Sequence, residues 1–277
     1  MNPLASDSSY ALGYSDAEHR RLIRQAAALN PLSERLFRDA GISTGHRVLE
    51  LGSGMGDVAM LVARLVGPAG EVLGVERDPN SIKLAQSRAA EAGLKNISFS
   101  QLDITQLQAS KLFDAAVGRF ILQFVPDPVA VVRSLVASVR PGGVIAFQEG
   151  QWQPYIDLLR PLPLSYACAI AVRDTFRASG VQTDLGLSLY NVFLSAGLPA
   201  PNMRMETIFG AEPGFTTWVC DLLLTLLPKA REHRISLEAL GDLETLSARI
   251  HAEVTAAQVV VPWIALVAAW SPVPQQQ

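Results

Sequence analysis

The chain has 277 residues, 49% hydrophobic and 18% charged, with a formal charge of −3. That length and apolar content mark a globular protein with room for one α/β domain and an appended lid, or for two small domains. The acidic balance and the lack of a polybasic run argue against a nucleic-acid partner. The first twenty residues hold no basic start followed by an apolar stretch, so no secretory leader is expected and the expected compartment is the cytoplasm. The longest apolar run, Val259 to Trp270, is interrupted by Pro262 and is too short to span a bilayer.

In chain order, Ser15 and Asp16 open a helix with Leu22, Ile23, Ala26 and Leu29 on one face. Asn30-Pro31 is expected to end it, and a second helix to run to Ala40, closed by Gly41. From Arg47 the pattern alternates: VLEL, then DVAMLVARLV, EVLGVE, NSIKLAQSRAAEAG, NISFSQLD, FDAAVGRF, DPVAVVRSLVASVR and VIAFQEG. Five strands separated by helical crossovers predict a doubly wound parallel sheet. After Gly150 come prolines at 154, 161 and 163, then a helix over about 164–179 and another over about 185–195. MRMETIF reads as a strand, 214–257 as mostly helical, and Val259 to Trp270 as a last strand. The expected fold is therefore α/β, a Rossmann-like, mainly parallel, seven-stranded sheet. Residues 1–42 form an N-terminal helical segment, 43–150 a nucleotide-binding core, and 151–277 a helical lid carrying the last two strands.

VLELGSGMGDVAML, Val48 to Leu61, runs from a strand through Gly52, Gly54 and Gly56 into a helix. Such a turn lets backbone approach a ligand closely. A dinucleotide fingerprint would require a third glycine at position 57, where this chain has Asp57. Glu50 beside the turn would also oppose a pyrophosphate by several kcal/mol in order of magnitude, whereas it favours a cation. Glu76 ends the second strand about twenty residues on, where a carboxylate can accept from two ribose hydroxyls. Asp103 follows the third strand and can accept from an exocyclic amine, with Leu102 or Ile104 against the ring. Arg119 and Phe120 end the fourth strand facing the same ligand, which S-adenosylmethionine, with its sulfonium and ammonium, would satisfy.

These residues resemble the class I S-adenosylmethionine-dependent methyltransferases, in the small-molecule branch related to ubiquinone and menaquinone biosynthesis. VLELGSGMGD is similar to that family's first motif, VLGVERDP to its second, FSQLDIT to its third, FDAAVGRFILQFVPDP to its fourth and VRPGGVIAFQE to its fifth. The resemblance covers about residues 45–150. It implies cofactor contacts from Glu50, Gly52, Ser53, Gly54, Gly56, Glu76, Arg77, Asp103, Ile104, Arg119 and Phe120. The opening YALGYSDAEHRRLIRQ resembles a bacterial subgroup whose N-terminal helix folds over the cofactor, which would bring Tyr10, Arg21 and Gln25 to the methionine end. The chain departs from the pattern with Glu50 for the commoner Asp, Ser53 for Cys, and Gln123 where many quinone-type relatives have His, so no role requiring an imidazole is carried over.

Methyl transfer from a sulfonium is an in-line displacement, and placement can supply roughly 7 to 11 kcal/mol of its barrier. The expected reaction is O- or C-methylation of a small, largely apolar acceptor, aromatic or isoprenoid-like. Trp152, Tyr155 and Trp218 are the expected substrate contacts, from a region that also holds Tyr166, Phe176 and Tyr190. Glu149, after the fifth strand, is the candidate base. Cys168, Cys220 and the four histidines lack metal-ligand spacing, so no metal is expected. The other readings weighed are a binding module that holds the cofactor without catalysis and a nucleotide-dependent oxidoreductase. No nucleic-acid partner and no membrane span are expected, and a homodimer is left open.

Overall fold

The computed structural model describes Leu12, residues 16–104 and residues 112–275. The elements in chain order begin with α1 (Asp16–Asp39), β1 (Arg47–Leu51), α2 (Asp57–Val66), β2 (Glu71–Glu76), α3 (Pro79–Glu91) and β3 (Ile97–Gln101). There follow β4 (Phe113–Arg119), α4 (Pro128–Ser138), β5 (Val139–Gln151), α5 (Trp152–Leu158), α6 (Pro163–Ala178), α7 (Leu185–Ser195) and β6 (Asn202–Glu206). The last are β7 (Phe209–Gly210), α8 (Pro213–Thr216), α9 (Trp218–Glu232), α10 (Leu246–Ala257), β8 (Val261–Pro262) and β9 (Ala265–Pro272). The chain divides into two compact units: residues 22–149, 185–205 and 266 onward form one, and 150–184, 206–265 and the chain up to Arg21 form the other.

The first unit holds the seven-stranded sheet, in the order β3-β2-β1-β4-β5-β9-β6. The pairs β1–β2, β2–β3, β1–β4 and β4–β5 are parallel. Both faces are covered, which is why the strands read as near-continuous apolar runs. Leu49, Leu51, Ala116, Ile145 and Phe147 join the core with Val131, Val132 and Leu135 of α4 and Leu189 and Phe193 of α7. Val48, Ala115, Val117, Val144 and Ala146 alternate with them and join Leu36 and Phe37 of α1 and Val58, Val62 and Val66 of α2. The helix starts follow simple capping chemistry. Asp78 accepts from Ser81 N (2.7 Å) ahead of Pro79, and Asp127 accepts from Ala130 N (2.9 Å) ahead of Pro128.

The second unit is helical apart from the antiparallel β7–β8 pair, Phe209 opposite Pro262 and Gly210 opposite Val261. α6 packs along α9, burying the free thiols of Cys168 and Cys220. Glu253 of α10 closes the start of α6, accepting from Leu164 N (2.7 Å), Ser165 N (2.9 Å) and Ser165 Oγ (2.7 Å), where a helix N-terminus favours negative charge. Trp152, Tyr155, Phe176, Phe215, Trp218 and Trp263 form one aromatic cluster, with Trp218 stacked on Trp263 at 4.8 Å and 15°.

Three sequence expectations are corrected. Asn30-Pro31 does not break the N-terminal helix: α1 runs through Pro31, and burial of Leu29, Leu32, Leu36 and Phe37, none more than 4% exposed, outweighs the lost backbone bond. Pro154 does not delay helix formation either. α5 begins directly after β5, and Pro154 sits in its first turn, where no intrahelical donor is needed. The run Val259 to Trp270 is two strands, because Trp263 and Ile264 separate β8, which pairs with β7, from β9, which enters the large sheet.

Candidate functional site

At the carboxyl ends of β1, β2, β4 and β5 of the first unit stand Glu50, Glu76, Arg119 and Glu149. In the turn after β1, Gly52 has φ 63° and Gly54 φ 50°, conformations that favour glycine. A Cβ on Gly52 would lie 2.4 Å from Ile121 Cδ1, whereas a Cβ on Gly54 would meet nothing within 4 Å. Gly52 therefore makes room for a neighbouring side chain, and Gly54 leaves open space above the turn. The turn is fixed to β2 by Ser53 N donating to Val75 O (3.0 Å) and Gly54 N donating to Glu76 Oε2 (2.9 Å). The other oxygen of Glu76 accepts from Arg77 N (2.9 Å) and Asp78 N (3.0 Å). Asp57, standing where a dinucleotide turn would have glycine, opens α2 and pairs with Arg88 at 2.6 Å.

Strand alternation puts Glu50, Glu76, Arg119 and Gln148 on the face shared with α1 and α2. Glu50 is 2% exposed and its Oε2 has no hydrogen-bond partner among the described residues. Burial pushes its pKa up to about 8. The Asp57 and Glu76 carboxylates add to the rise, while the Arg119 guanidinium and the Ala59 N–H oppose it. Arg119 Nη1 donates to Asn30 Oδ1 (3.0 Å) and Ser33 Oγ (2.9 Å), both neutral acceptors. Burial lowers the guanidinium pKa to about 10, against the pull of the Asp57 and Glu50 carboxylates. Ser33 Oγ in turn donates to Gln148 Oε1 at 2.6 Å.

Glu149 lies on the opposite face of β5, beside Phe147. It is 0% exposed, and its Oε1 accepts from Ile121 N (3.0 Å) and Leu122 N (2.8 Å) while Oε2 has no partner among the described residues. Burial raises its pKa to about 8, and the N–H groups of Leu122, Ile121 and Gln123 hold it from rising further. These bonds secure the sharp turn at Phe120, whose φ of 54° is unfavourable for a side chain. Phe120 N also donates to Gln148 O at 2.9 Å.

Asp103 is exposed in the connection after β3, one residue beyond Leu102, whose N–H donates to Glu76 O (2.9 Å). Ile104 is drawn into the core cluster on the α4 and α7 face, and Arg77 is exposed. Tyr10 lies outside the described residues. In the second unit, Arg21 is buried in a bidentate pair with Glu18, at 2.7 and 2.6 Å. Gln25 lies one turn further along α1, half-buried. Trp152, Tyr155 and Trp218 are brought together, with Trp152 5.8 Å from Tyr155 and 6.1 Å from Trp218, and Tyr155 5.1 Å from Trp218. Tyr190, in contrast, is 44% exposed on α7.

Sequence reasoning missed Asn30, Ser33 and Gln148, which surround Arg119, and Trp263, which completes the aromatic stack. The Asn-Pro pair concealed the first two, because it was read as punctuation. Among the described residues no group of three or more His, Cys, Asp or Glu side chains is placed to hold a metal ion. No helix among them is long and apolar enough to cross a membrane.

A cofactor with a cationic amino-acid end fits this donor set. Among the described residues, the buried Oε2 of Glu50 and the buried Ser53 Oγ have no partners, and the space over Gly54 is open. A methyltransferase domain family model matches residues 42–180. The chain is 28% identical over 179 residues to a ubiquinone biosynthesis O-methyltransferase of Albidiferax ferrireducens, covering 62% of this chain and 70% of that one. It is 33% identical over 112 residues to the ubiquinone/menaquinone biosynthesis C-methyltransferase UbiE of Pseudomonas putida, covering 40% of this chain and 44% of that one. The chain thus spans less than half the length of that C-methyltransferase. Its fold is similar to that of a SAM dependent methyltransferase from Aquifex aeolicus, with a TM-score of 0.52 at 15% identity, covering 69% of this chain and 92% of that one. The chain belongs to the methyltransferase domain family, as a class I S-adenosylmethionine-dependent methyltransferase of the small-molecule branch.

Proposed function

We propose that the chain methylates oxygen or carbon of a small, largely apolar acceptor in the cytoplasm, with the cofactor seated along the carboxyl ends of β1, β2 and β4. When bound, S-adenosylmethionine supplies an electrophilic methyl group on a positively charged sulfur. In this reading Glu50 accepts from the cofactor's ammonium, Glu76 accepts from the ribose hydroxyls, and Asp103 accepts from the adenine amine with Arg77 beside it. Gly52, Ser53, Gly54 and Gly56 shape the backbone against the cofactor, and Arg119 and Phe120 close the methionine end.

The observation that carries the reading is Glu50: a buried carboxylate with an oxygen unpartnered among the described residues, near a guanidinium whose hydrogen bonds go to the neutral Asn30 and Ser33. Burying an ionised carboxylate is costly even with the Arg119 charge nearby, and an ammonium bonded to the unpartnered oxygen would offset that cost.

Glu149 is proposed here as the anchor of the Phe120–Leu122 turn rather than as the base, because its Oε1 accepts from two backbone N–H groups of that turn and it lies on the face of β5 opposite Gln148. An acceptor that ionises easily, such as a phenol or an enol, needs no strong base. The aromatic side chains of Trp152, Tyr155 and Trp218 favour a flat, apolar acceptor.

The test is calorimetric titration with S-adenosylhomocysteine, followed by assay of methyl transfer to phenolic and quinol acceptors. Micromolar binding lost in Glu50→Ala and Glu76→Ala supports the reading; unchanged binding in both variants removes it. Tight binding with no adenosylhomocysteine released from S-adenosylmethionine, whatever the acceptor, would favour the non-catalytic binding module.

A further inference from the structure

We propose that Gln148 is a cofactor-binding residue whose side-chain Nε2 donates to the carboxylate at the amino-acid end of S-adenosylmethionine, beside Arg119. The inference rests on the cofactor reading above and adds a donor that neither the glycine-turn motif nor the strand-end carboxylates supply.

Gln148 is 1% exposed, and its Nε2 has no hydrogen-bond partner among the described residues. A buried primary amide normally satisfies both its ends, so two unused N–H bonds in the interior mark a missing acceptor. The amide orientation follows from its neighbours. Arg119 can only donate, so Ser33 Oγ accepts from it at 2.9 Å, and the single hydroxyl hydrogen is left to donate. The near acceptor is Gln148 Oε1 at 2.6 Å, since Leu29 O lies at 3.4 Å. With Oε1 fixed on Ser33, Nε2 must turn away from it.

The missing acceptor carries negative charge. Arg119 and Gln148 are register partners across β4 and β5, so their side chains leave the sheet side by side on one face. Among the described residues, one is a cation bonded to neutral oxygens, and the other is an amide donor without an acceptor. Together they place a guanidinium and an amide donor side by side on one face, the pairing that suits a carboxylate. On the same face Glu50 presents an unpartnered carboxylate oxygen. An α-amino acid carries its carboxylate and its ammonium on one carbon, and so answers both demands at once. The chain Asn30/Ser33–Arg119–Gln148 also gives α1 a function in this unit: Ser33 aligns the amide that meets the ligand.

The experiment compares two ligands by calorimetry: S-adenosylhomocysteine, and S-adenosyl-3-thiopropylamine, which keeps the amine but lacks the carboxylate. Wild type should prefer the first by about tenfold or more. Gln148→Met should weaken S-adenosylhomocysteine about fivefold and leave the decarboxylated ligand within about twofold, so that the preference narrows. Gln148→Glu should narrow it further by setting a carboxylate against a carboxylate. Ser33→Ala, which leaves Gln148 in place but frees its amide, should narrow the preference partly; it carries the test if thermal unfolding shows that the Gln148 variants do not fold. In protein labelled with ¹⁵N-glutamine, the Gln148 side-chain amide resonance should shift with S-adenosylhomocysteine and not with the decarboxylated ligand. Equal weakening of both ligands, or none, overturns the proposal. Failure of wild type to bind either ligand would overturn the cofactor reading itself.

Discussion

Ile121 and Gly52 compete for one volume: the Cβ that Gly52 lacks would lie 2.4 Å from Cδ1 of Ile121 and 2.7 Å from its Cγ1. The turn after β1 and the turn after β4 are thereby interlocked, and Glu149 holds the second of them through the N–H groups of Ile121 and Leu122. Gly52→Ala meets two penalties, a φ of 63° unfavourable for alanine and a clash with Ile121. It should destabilise the protein by about 1 to 3 kcal/mol and weaken S-adenosylhomocysteine binding at least about tenfold. Adding Ile121→Ala should recover only part of the stability, because the clash goes and the backbone penalty stays. Thermal unfolding of the single and double variants separates the two contributions; full recovery in the double variant would show that the backbone conformation costs nothing.

Glu50 makes cofactor binding proton-linked. Its pKa in the folded protein is raised from 4.5 to about 8, chiefly by burial, so the folded ligand-free state holds its proton more tightly than the unfolded chain does. The stability this contributes is fully present below about pH 4.5 and is lost as pH rises toward about 8, at about 1.4 kcal/mol per pH unit for the one group. Glu149, also raised to about 8 by burial, acts in the same direction. Glu50→Gln should remove its share and flatten the decline. An ammonium beside Glu50 favours the ionised form, so binding near pH 7 should release a proton and affinity should rise until about pH 8. Calorimetry in two buffers of different ionisation heat measures that release, which Glu50→Gln should abolish.

Glu149 should behave as an anchor whose shape matters more than its charge. Glu149→Gln keeps an oxygen to accept from Ile121 and Leu122 and removes the burial cost of a carboxylate. It should leave stability at pH 8 equal to or above that of wild type, and methyl transfer within about threefold. Glu149→Ala strands the N–H groups of a turn that already holds Phe120 at φ 54°, and should cost about 2 to 4 kcal/mol. A Gln variant that folds normally but loses activity more than about a hundredfold across the pH range would restore the carboxylate to proton transfer.

What the sequence made legible, and what it hid, divide by the range of the interactions. The sheet was readable because strands covered on both faces are apolar throughout, and the turn because left-handed backbone at Gly52 and Gly54 demands glycine. The approach of Glu76 to Gly54 was readable too, since the spacing of adjacent parallel strands brings the end of β2 beside the turn. Asn30 and Ser33 were not. Their value depends on Arg119 and Gln148, 86 to 115 positions away, and locally they look like a helix stop. Trp263 was hidden inside the apolar run 259–270, where Pro262 is the local mark that β8 gives way to β9 and its packing partners lie far off in sequence.

Trp263 and Trp218 should respond differently to truncation. Trp263 is 5% exposed, stacked on Trp218 at 4.8 Å and packed edge-on against Phe215 at 5.3 Å, yet its Nε1 has no hydrogen-bond partner among the described residues. Trp263→Phe removes that stranded donor along with part of the ring. The relief of about 1 to 3 kcal/mol offsets the lost packing, so stability should stay within about 1 kcal/mol of wild type. Trp218→Ala has no such compensation. It empties a position shared with Trp152, Tyr155 and Trp263, and should cost about 3 to 5 kcal/mol. Denaturant midpoints at unchanged m-value measure both changes. If Trp263→Phe costs as much as Trp218→Ala, the indole N–H is satisfied in solution and the cluster is an ordinary core. If instead Trp263→Phe folds normally and raises KM for the methyl acceptor while leaving S-adenosylhomocysteine affinity unchanged, the free N–H belongs to acceptor recognition.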